Sequence, residues 1–231
     1  MLPIEPDSNW KALYRMGAIA AVVVAALIPV QIAIFVVFPP PATAIEFFTL
    51  FERNRLLGLL SLDLLYLVDN TLVIPLYLAL YIALRRYSQS AMLVAEALIF
   101  VGLAAYFSSN TAFEMLSLSG QYAAATSEAQ RIALVGAGEA MLALYEGTAF
   151  DVYYVFGGVA VVIISFVMLR SDVFGKSVAI LGIMAGALMI VPSTAGTIGL
   201  YLALLSLVPT AGWLILMARR LFWLATGSSP T

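Results

Sequence analysis

Six apolar runs divide the chain, at about 10–38, 56–84, 91–107, 148–169, 178–192 and 199–217, each bounded by charged or turn-forming residues. Roughly 20 apolar residues are enough to cross a bilayer as a helix, so the pattern predicts an all-α polytopic membrane protein, a six-transmembrane-helix bundle. Two polar stripes interrupt it. At about 100° per residue, Asp63, Tyr66, Asn70, Tyr77 and Tyr81 share one face of the second run, with Asp69 at the edge of that face and Pro75 nearly opposite. In the fourth run, Gly147, Asp151, Tyr154, Gly158 and Ser165 recur at helical spacing. Carboxylates at membrane depth are costly and tend to mark function.

Two connecting segments are longer than a turn requires. The segment 39–55 opens with Pro39-Pro40-Pro41 and continues through Ile45, Phe47, Phe48, Leu50 and Phe51, which predicts a short interfacial helix. In the other, Asn110, Glu114, Ser117 and Gln121 recur at helical spacing and extend the third run outward to about Gln121. Ser127 followed by Gln130 fits a capping box, starting a further helix that reaches Tyr145 and ends at Gly147. Together, about 110–146 reads as an outer helical lid. Ala179, Gly182 and Gly186 form a small-residue face in the fifth run, the usual means of close helix contact in membranes. The segment from Pro192 to Thr197 reads as a tight outer turn.

The 231 residues are 63% hydrophobic and 10% charged, which leaves no room for a separate soluble domain, so 1–231 reads as one integral membrane domain. Charge then orients it. Lys11, Arg15, Arg85, Arg86, Arg170, Lys176, Arg219 and Arg220 fall at one side of the six runs, and Arg53, Arg55 and Arg131 at the other. The excess marks the cytoplasmic face, predicting a multi-pass protein of the cell membrane with both termini inside. Trp10, Trp213 and Trp223 then read as headgroup anchors near the cytoplasmic ends. Ala42-Thr43-Ala44 resembles a signal-peptidase site, but the apolar run before it is long and follows acidic Glu5 and Asp7, which suits an uncleaved first span. The segment 221–231, ending in Gly227-Ser228-Ser229-Pro230, reads as a frayed polar tail.

The net charge of −2 and the lack of a basic cluster away from helix ends argue against nucleic acid as a partner. His and Cys are both missing. That removes Ser-His-Asp machinery, imidazole-bound zinc, thiolate nucleophiles and iron–sulfur ligation, and no cofactor is expected. Hard-cation binding through oxygen stays open.

Several local patterns carry a resemblance. They are Arg55-x-x-Gly58-x-Leu60-x-Leu62-x-Leu64-Leu65 with Asn70, Pro75-Leu76-Tyr77 closing on Arg85-Arg86, and Gly147-Thr148 leading to Tyr154 and Gly157. Ser171-x-x-Phe174, Ile180-x-Gly182-x-x-Ala185-Gly186 and Pro209-x-x-Gly212-Trp213 before Arg219-Arg220 continue them. From Arg53 onward the chain resembles a family of small bacterial and archaeal membrane proteins classed as a domain of unknown function. The resemblance implies six spans and transfers no catalytic residue.

The candidate ligand-binding residues are Asp63, Tyr66, Asn70, Tyr77, Glu146, Asp151 and Tyr154. Packing of the second and fourth runs, with Gly158 allowing close approach, would place Asp63 and Asp151 in one outer cavity with Glu146 at its rim. An outward-facing acidic, Tyr-rich cavity suits binding or transport of a cationic or amphipathic small molecule. Competing readings are interhelical hydrogen bonding by the stripe, an outer latch in which Arg53 or Arg55 neutralises Asp63, and an accessory subunit of a larger complex. An intramembrane hydrolase or transferase using Asp63, Asp151 or Glu146 as acid and base is a further alternative, although no nucleophile motif is present. Glu139, seven residues before Glu146, reads as solvated or as a second rim carboxylate. Glu96 reads as an ion-pair partner for the Arg85-Arg86 and Arg170 edge, and Gln31 beside Pro29 as a packing or cavity-facing group.

Overall fold

The first aliphatic run folds as α1 (Lys11–Val37), entered through a single 3-10 turn at Ser8–Trp10. The computed structural model describes residues 8–226, so Glu5, Asp7 and the polar stretch from Gly227 onward lie outside the described residues. Among the described residues every regular element is helical.

The segment after α1 forms α2 (Ala44–Arg53), the expected interfacial helix. Thr43 and Glu46 close a reciprocal capping box at its start, which satisfies donors that the first turn leaves open. The second apolar run is the first departure from expectation. Instead of one helix over 56–84, it forms α3 (Arg55–Ser61) and α4 (Leu64–Leu84), separated at Asp63, whose φ of 62° and ψ of 30° are left-handed. Aspartate tolerates that region better than most residues, and the break is held by tertiary contact. Asn110 Nδ2 donates to the Leu62 carbonyl at 2.9 Å.

The third run forms α5 (Gln89–Ser109), and here too the helix stops where continuation was expected. Asn110 leaves helical geometry, its Oδ1 accepts from Ala112 N at 3.2 Å, and α6 (Ala112–Ala124) starts as a separate element. α7 (Glu128–Tyr145) follows. Ser127 Oγ accepts from Gln130 N, but Gln130 reaches back to Thr126 N rather than to Ser127 N, so only half of the expected box forms. The remaining runs form α8 (Thr148–Leu169), α9 (Lys176–Met189) and α10 (Gly196–Thr226). α10 runs well past the expected end at 217. Its entry is the tight turn after Pro192, closed by Ala195 N donating to the Pro192 carbonyl, with Gly196 at φ 71°.

Five stretches are long and apolar enough to cross a membrane, while α9, at 14 residues, is about 21 Å long. Neighbouring helices pack in the order α1, α4, α5, α8, α9, α10 and back to α1, a closed ring. At one end of the ring its centre is solid. Ala18 and Ala21 of α1, Leu80 and Leu84 of α4, Ile164 and Met168 of α8, and Met217 and Leu221 of α10 share one buried core there. Basic residues collect at this end: the Arg85 guanidinium lies 5.8 Å from the Trp10 ring, and Tyr87 accepts from Asp172 N.

The opposite end carries a cap of α2, α3, α6 and α7 with its own core of Phe47, Phe48, Phe51, Leu62 and Met115. Gly138 of α7 lies so close to α2 that a Cβ there would stand 2.7 Å from the Ala44 Cβ. Glu139 belongs to this junction, not to a solvated rim. Its Oε1 accepts from Ala44 N at 2.8 Å, helping to satisfy the first turn of α2.

Two further packing expectations are corrected. Gly158 serves α9 instead of joining α4 to α8: a Cβ on Gly158 would stand 2.7 Å from the Gly186 carbonyl oxygen, and one on Gly186 would stand 2.6 Å from that of Gly158. This backbone approach is the small-residue contact expected of Gly186. Glu96 is buried in α5 with both carboxylate oxygens lacking a hydrogen-bond partner, so the expected arginine pair does not form.

Candidate functional site

With the core at one end and the cap at the other, the ring is hollow between them. A cavity of about 690 Å³ lies there, lined by residues from all six ring helices and by the end of α7. That volume falls within the range of small-molecule sites. α4 and α8 both contribute to its wall, on either side of α5.

The α4 wall carries Tyr66, Asp69, Asn70 and Tyr77, one helical face. Asp63 lines the cavity from the break before α4, so its position owes more to the left-handed turn than to the helical stripe. Its carboxylate is buried, and Oδ2 accepts from the Tyr145 hydroxyl at 2.5 Å. Arg53 and Arg55 are exposed, so the buried partner of Asp63 is a phenol and not a guanidinium. Asn70 Nδ2 turns back to the Tyr66 carbonyl. Tyr81, the last member of the stripe, packs against the solid core instead of lining the cavity.

Facing α4 is an aromatic cluster. Tyr106 and Tyr153 have ring centroids 4.8 Å apart, Tyr153 and Tyr154 5.7 Å in an edge-on arrangement, and Phe150 and Tyr154 5.1 Å. Tyr145 approaches Phe150 at 6.1 Å. Such offset and edge contacts stiffen a wall without closing it. Glu146 lines the cavity at the end of α7 and is exposed, as a rim position requires. Asp151 does not line it. Its carboxylate accepts from the Thr194 hydroxyl, and Thr194 forms part of the wall.

The structure therefore brings Asp63, Tyr66, Asn70, Tyr77, Glu146 and Tyr154 around one space and leaves Asp151 behind it. It adds residues that spacing did not single out. Tyr106, Tyr145 and Tyr153 belong to the wall, and so does Trp213. Trp213 is buried, more than three turns before the end of α10, and is not an interfacial anchor. Gln31 and Asp69, both lining residues, are buried with side-chain polar atoms that no protein group satisfies, and the Trp213 Nε1 and Thr210 Oγ1 are likewise unpartnered. Unmatched polar atoms in a cavity are costly unless something occupies it.

Chemically the space is one-signed. Among the described residues, Asp63, Asp69 and Glu146 line it and no Lys or Arg does. No group of three acidic side chains among the described residues converges closely enough to hold a metal ion. The arrangement can attract positive charge, present phenol faces to it, and offer both donors and acceptors at depth. Comparisons with protein-family models, curated proteins and solved structures return no match, so the functional reading rests on this geometry.

Proposed function

We propose that this protein is a six-span cell-membrane protein, with both termini in the cytoplasm, that binds or carries a cationic or amphipathic small molecule in the hollow half of its helix ring. The single observation that carries the reading is the pairing of buried carboxylates with a tyrosine wall and no cation in one 690 Å³ cavity. A cation entering it gains Coulomb attraction in a low-dielectric setting and aromatic faces that favour positive charge.

The topology has its own support. Trp10, Arg85, Tyr87, Asp172 and Arg220 lie around one end of the ring, and Arg131, beside Tyr122, lies in the cap. By the positive-inside rule the first end is cytoplasmic and the cavity lies in the outer half. α9 counts as the sixth crossing because it packs between α8 and α10 as a member of the ring.

Acid and base work by Asp63 and Asp151 is disfavoured by geometry, since Asp151 is turned to Thr194 and does not share the space. The test is binding of a hydrophobic amine, such as dodecylamine, to purified protein in nanodiscs. Wild type is expected to bind it, and Asp63→Asn and Asp69→Asn each to weaken it tenfold or more. Folded variants that bind as wild type would remove the cavity from consideration.

A further inference from the structure

The outer halves of α1 and α10 differ from the rest of the ring. Inward of Val24, α1 buries Tyr14, Ala18 and Ala21; outward of it, only Gln31 is buried. α10 mirrors this, burying Trp213, Met217 and Leu221 inward, and only Gly199 outward of Ser206. The two helices bury many side chains at the inner end and few toward the cap.

A proline sits near each change in burial, Pro29 in α1 and Pro209 in α10. Each removes a backbone donor and displaces the carbonyl four residues before it, the ordinary cause of a helix bend. Beyond them, the side chains that line the cavity are also surface residues. Val36 is 74% exposed, and Leu200 and Leu204 are each 50% exposed. Leu204 is eight residues into α10, about 12 Å along its axis. The opening therefore descends through the depth of one leaflet, and its frame is aliphatic.

At the cap end the Tyr145 hydroxyl is bonded to Asp63, and the exposed lining residues Glu146, Thr194 and Thr197 form a polar rim, unlike the aliphatic frame between α1 and α10. Inside, among the described residues, the polar groups without partners are Gln31 on α1, Asp69 on α4, Tyr106 on α5, and Thr210 and Trp213 on α10. Gln31 is 3% exposed and Asp69 8%, and both line the cavity. These groups offer amide donor and acceptor, carboxylate acceptor, hydroxyl and indole N–H, a set suited to a compact amine-bearing head. The aliphatic frame between α1 and α10 suits a chain.

We infer that the gap between the outer halves of α1 and α10 is a lateral portal, through which an amine-headed, long-chain amphiphile enters from the outer leaflet, its head among Gln31, Asp69 and Asn70 and its chain lying between Ile32, Val36, Leu200 and Leu204. This rests on the cation-binding reading above and specifies its ligand class and route. Water-soluble amines lack the chain and so lose the apolar contact that the portal's frame supplies.

Trp213 supplies the readout. In a Trp10→Phe, Trp223→Phe background it is the remaining tryptophan, and it lies in the cavity wall. The experiment adds 6,7-dibromododecylamine, whose bromines lie nearer the amine head and so nearer Trp213 than a terminal bromine would, to this protein in nanodiscs, with butylamine as the chainless competitor. Bromine is expected to quench Trp213, butylamine to displace it at least a hundredfold more weakly than dodecylamine does, and Leu204→Phe in this background to slow quenching at least fivefold. Ile32→Phe, on the other side of the portal, is expected to act in the same direction. Both positions face outward, so neither substitution threatens the core.

Quenching at an unchanged rate in both portal variants, or butylamine competing as well as dodecylamine, overturns the lateral route and leaves cation binding intact. Quenching that survives both Asp63→Asn and Asp69→Asn overturns the cation reading instead. No quenching in the parent protein overturns the proposed ligand class.

Discussion

The Tyr145 hydroxyl donates to Asp63 Oδ2 at 2.5 Å, joining the last turn of α7 to the left-handed residue that starts α4. One hydrogen bond thus connects the cap to a cavity wall. Tyr145→Phe keeps the ring and removes the donor, leaving a buried carboxylate unsatisfied. The expected loss is about 1–3 kcal/mol, read by thermal unfolding in mild detergent. Faster amide exchange across 141–150 should accompany it, and unchanged exchange there would show that the bond does not hold the cap.

Asp63 itself adopts φ 62°. Asp63→Gly relieves the backbone while deleting the carboxylate, whereas Asp63→Val adds a β-branched residue where one is poorly tolerated. Stability should rank Gly above Val. Reversal of that order, measured by unfolding midpoint, would mean that the turn is not what limits this position.

Gly158 and Gly186 test the α8 and α9 junction. Because each added methyl meets backbone, Gly158→Ala and Gly186→Ala should each destabilise by about 1–3 kcal/mol. Gly136→Ala is the control, since a Cβ there meets nothing within 4 Å. It should be neutral or slightly stabilising in mid-helix.

Glu96 carries a different expectation. Its carboxylate is buried without a hydrogen-bond partner and lies outside the cavity wall. Glu96→Met, similar in length and apolar, should raise stability by about 1–3 kcal/mol. A fall would reveal a partner that only the membrane-embedded protein supplies.

Glu46 gives a pH dependence outside the helix ring. Hydrogen bonds from the backbone of Ala42, then from Thr43, hold its carboxyl below the ordinary glutamate value. Its contribution to the α2 cap is therefore fully present above the unfolded-state value, roughly 4.3, and is lost as pH falls through the lower folded value. Protection factors of the Ala42 and Thr43 amides, the intrinsic exchange rate divided by the observed rate at the same pH, should fall on acidification to about pH 3 in the wild type. Glu46→Gln should already exchange faster at neutral pH and respond less to acid.

The helices were legible because aliphatic runs and their charged ends are local properties. The face carrying Tyr66, Asn70 and Tyr77 was legible for the same reason, since helical spacing alone puts those residues together. The break at Asp63 was not, because Asn110 and Tyr145, 47 and 82 residues away in sequence, hold it. Asp151 misleads for a related reason: periodicity gives its face on α8 but not its neighbour, Thr194. From sequence Trp213 reads as an anchor because the apolar run ends at 217, and nine further helical residues move it inward. Gln31 is a lone amide beside Pro29, and only the closing of the helix ring shows which space it faces.

The solid inner half of the ring has an electrical consequence. With Ala18, Leu80, Leu84, Ile164, Met168 and Met217 fully buried around its centre, no water column runs the length of the bundle. Set in an energised membrane, such a protein insulates. Under the cation-binding proposal, any step that carried a cation from the cavity through to the other end would first have to rearrange these packed helices.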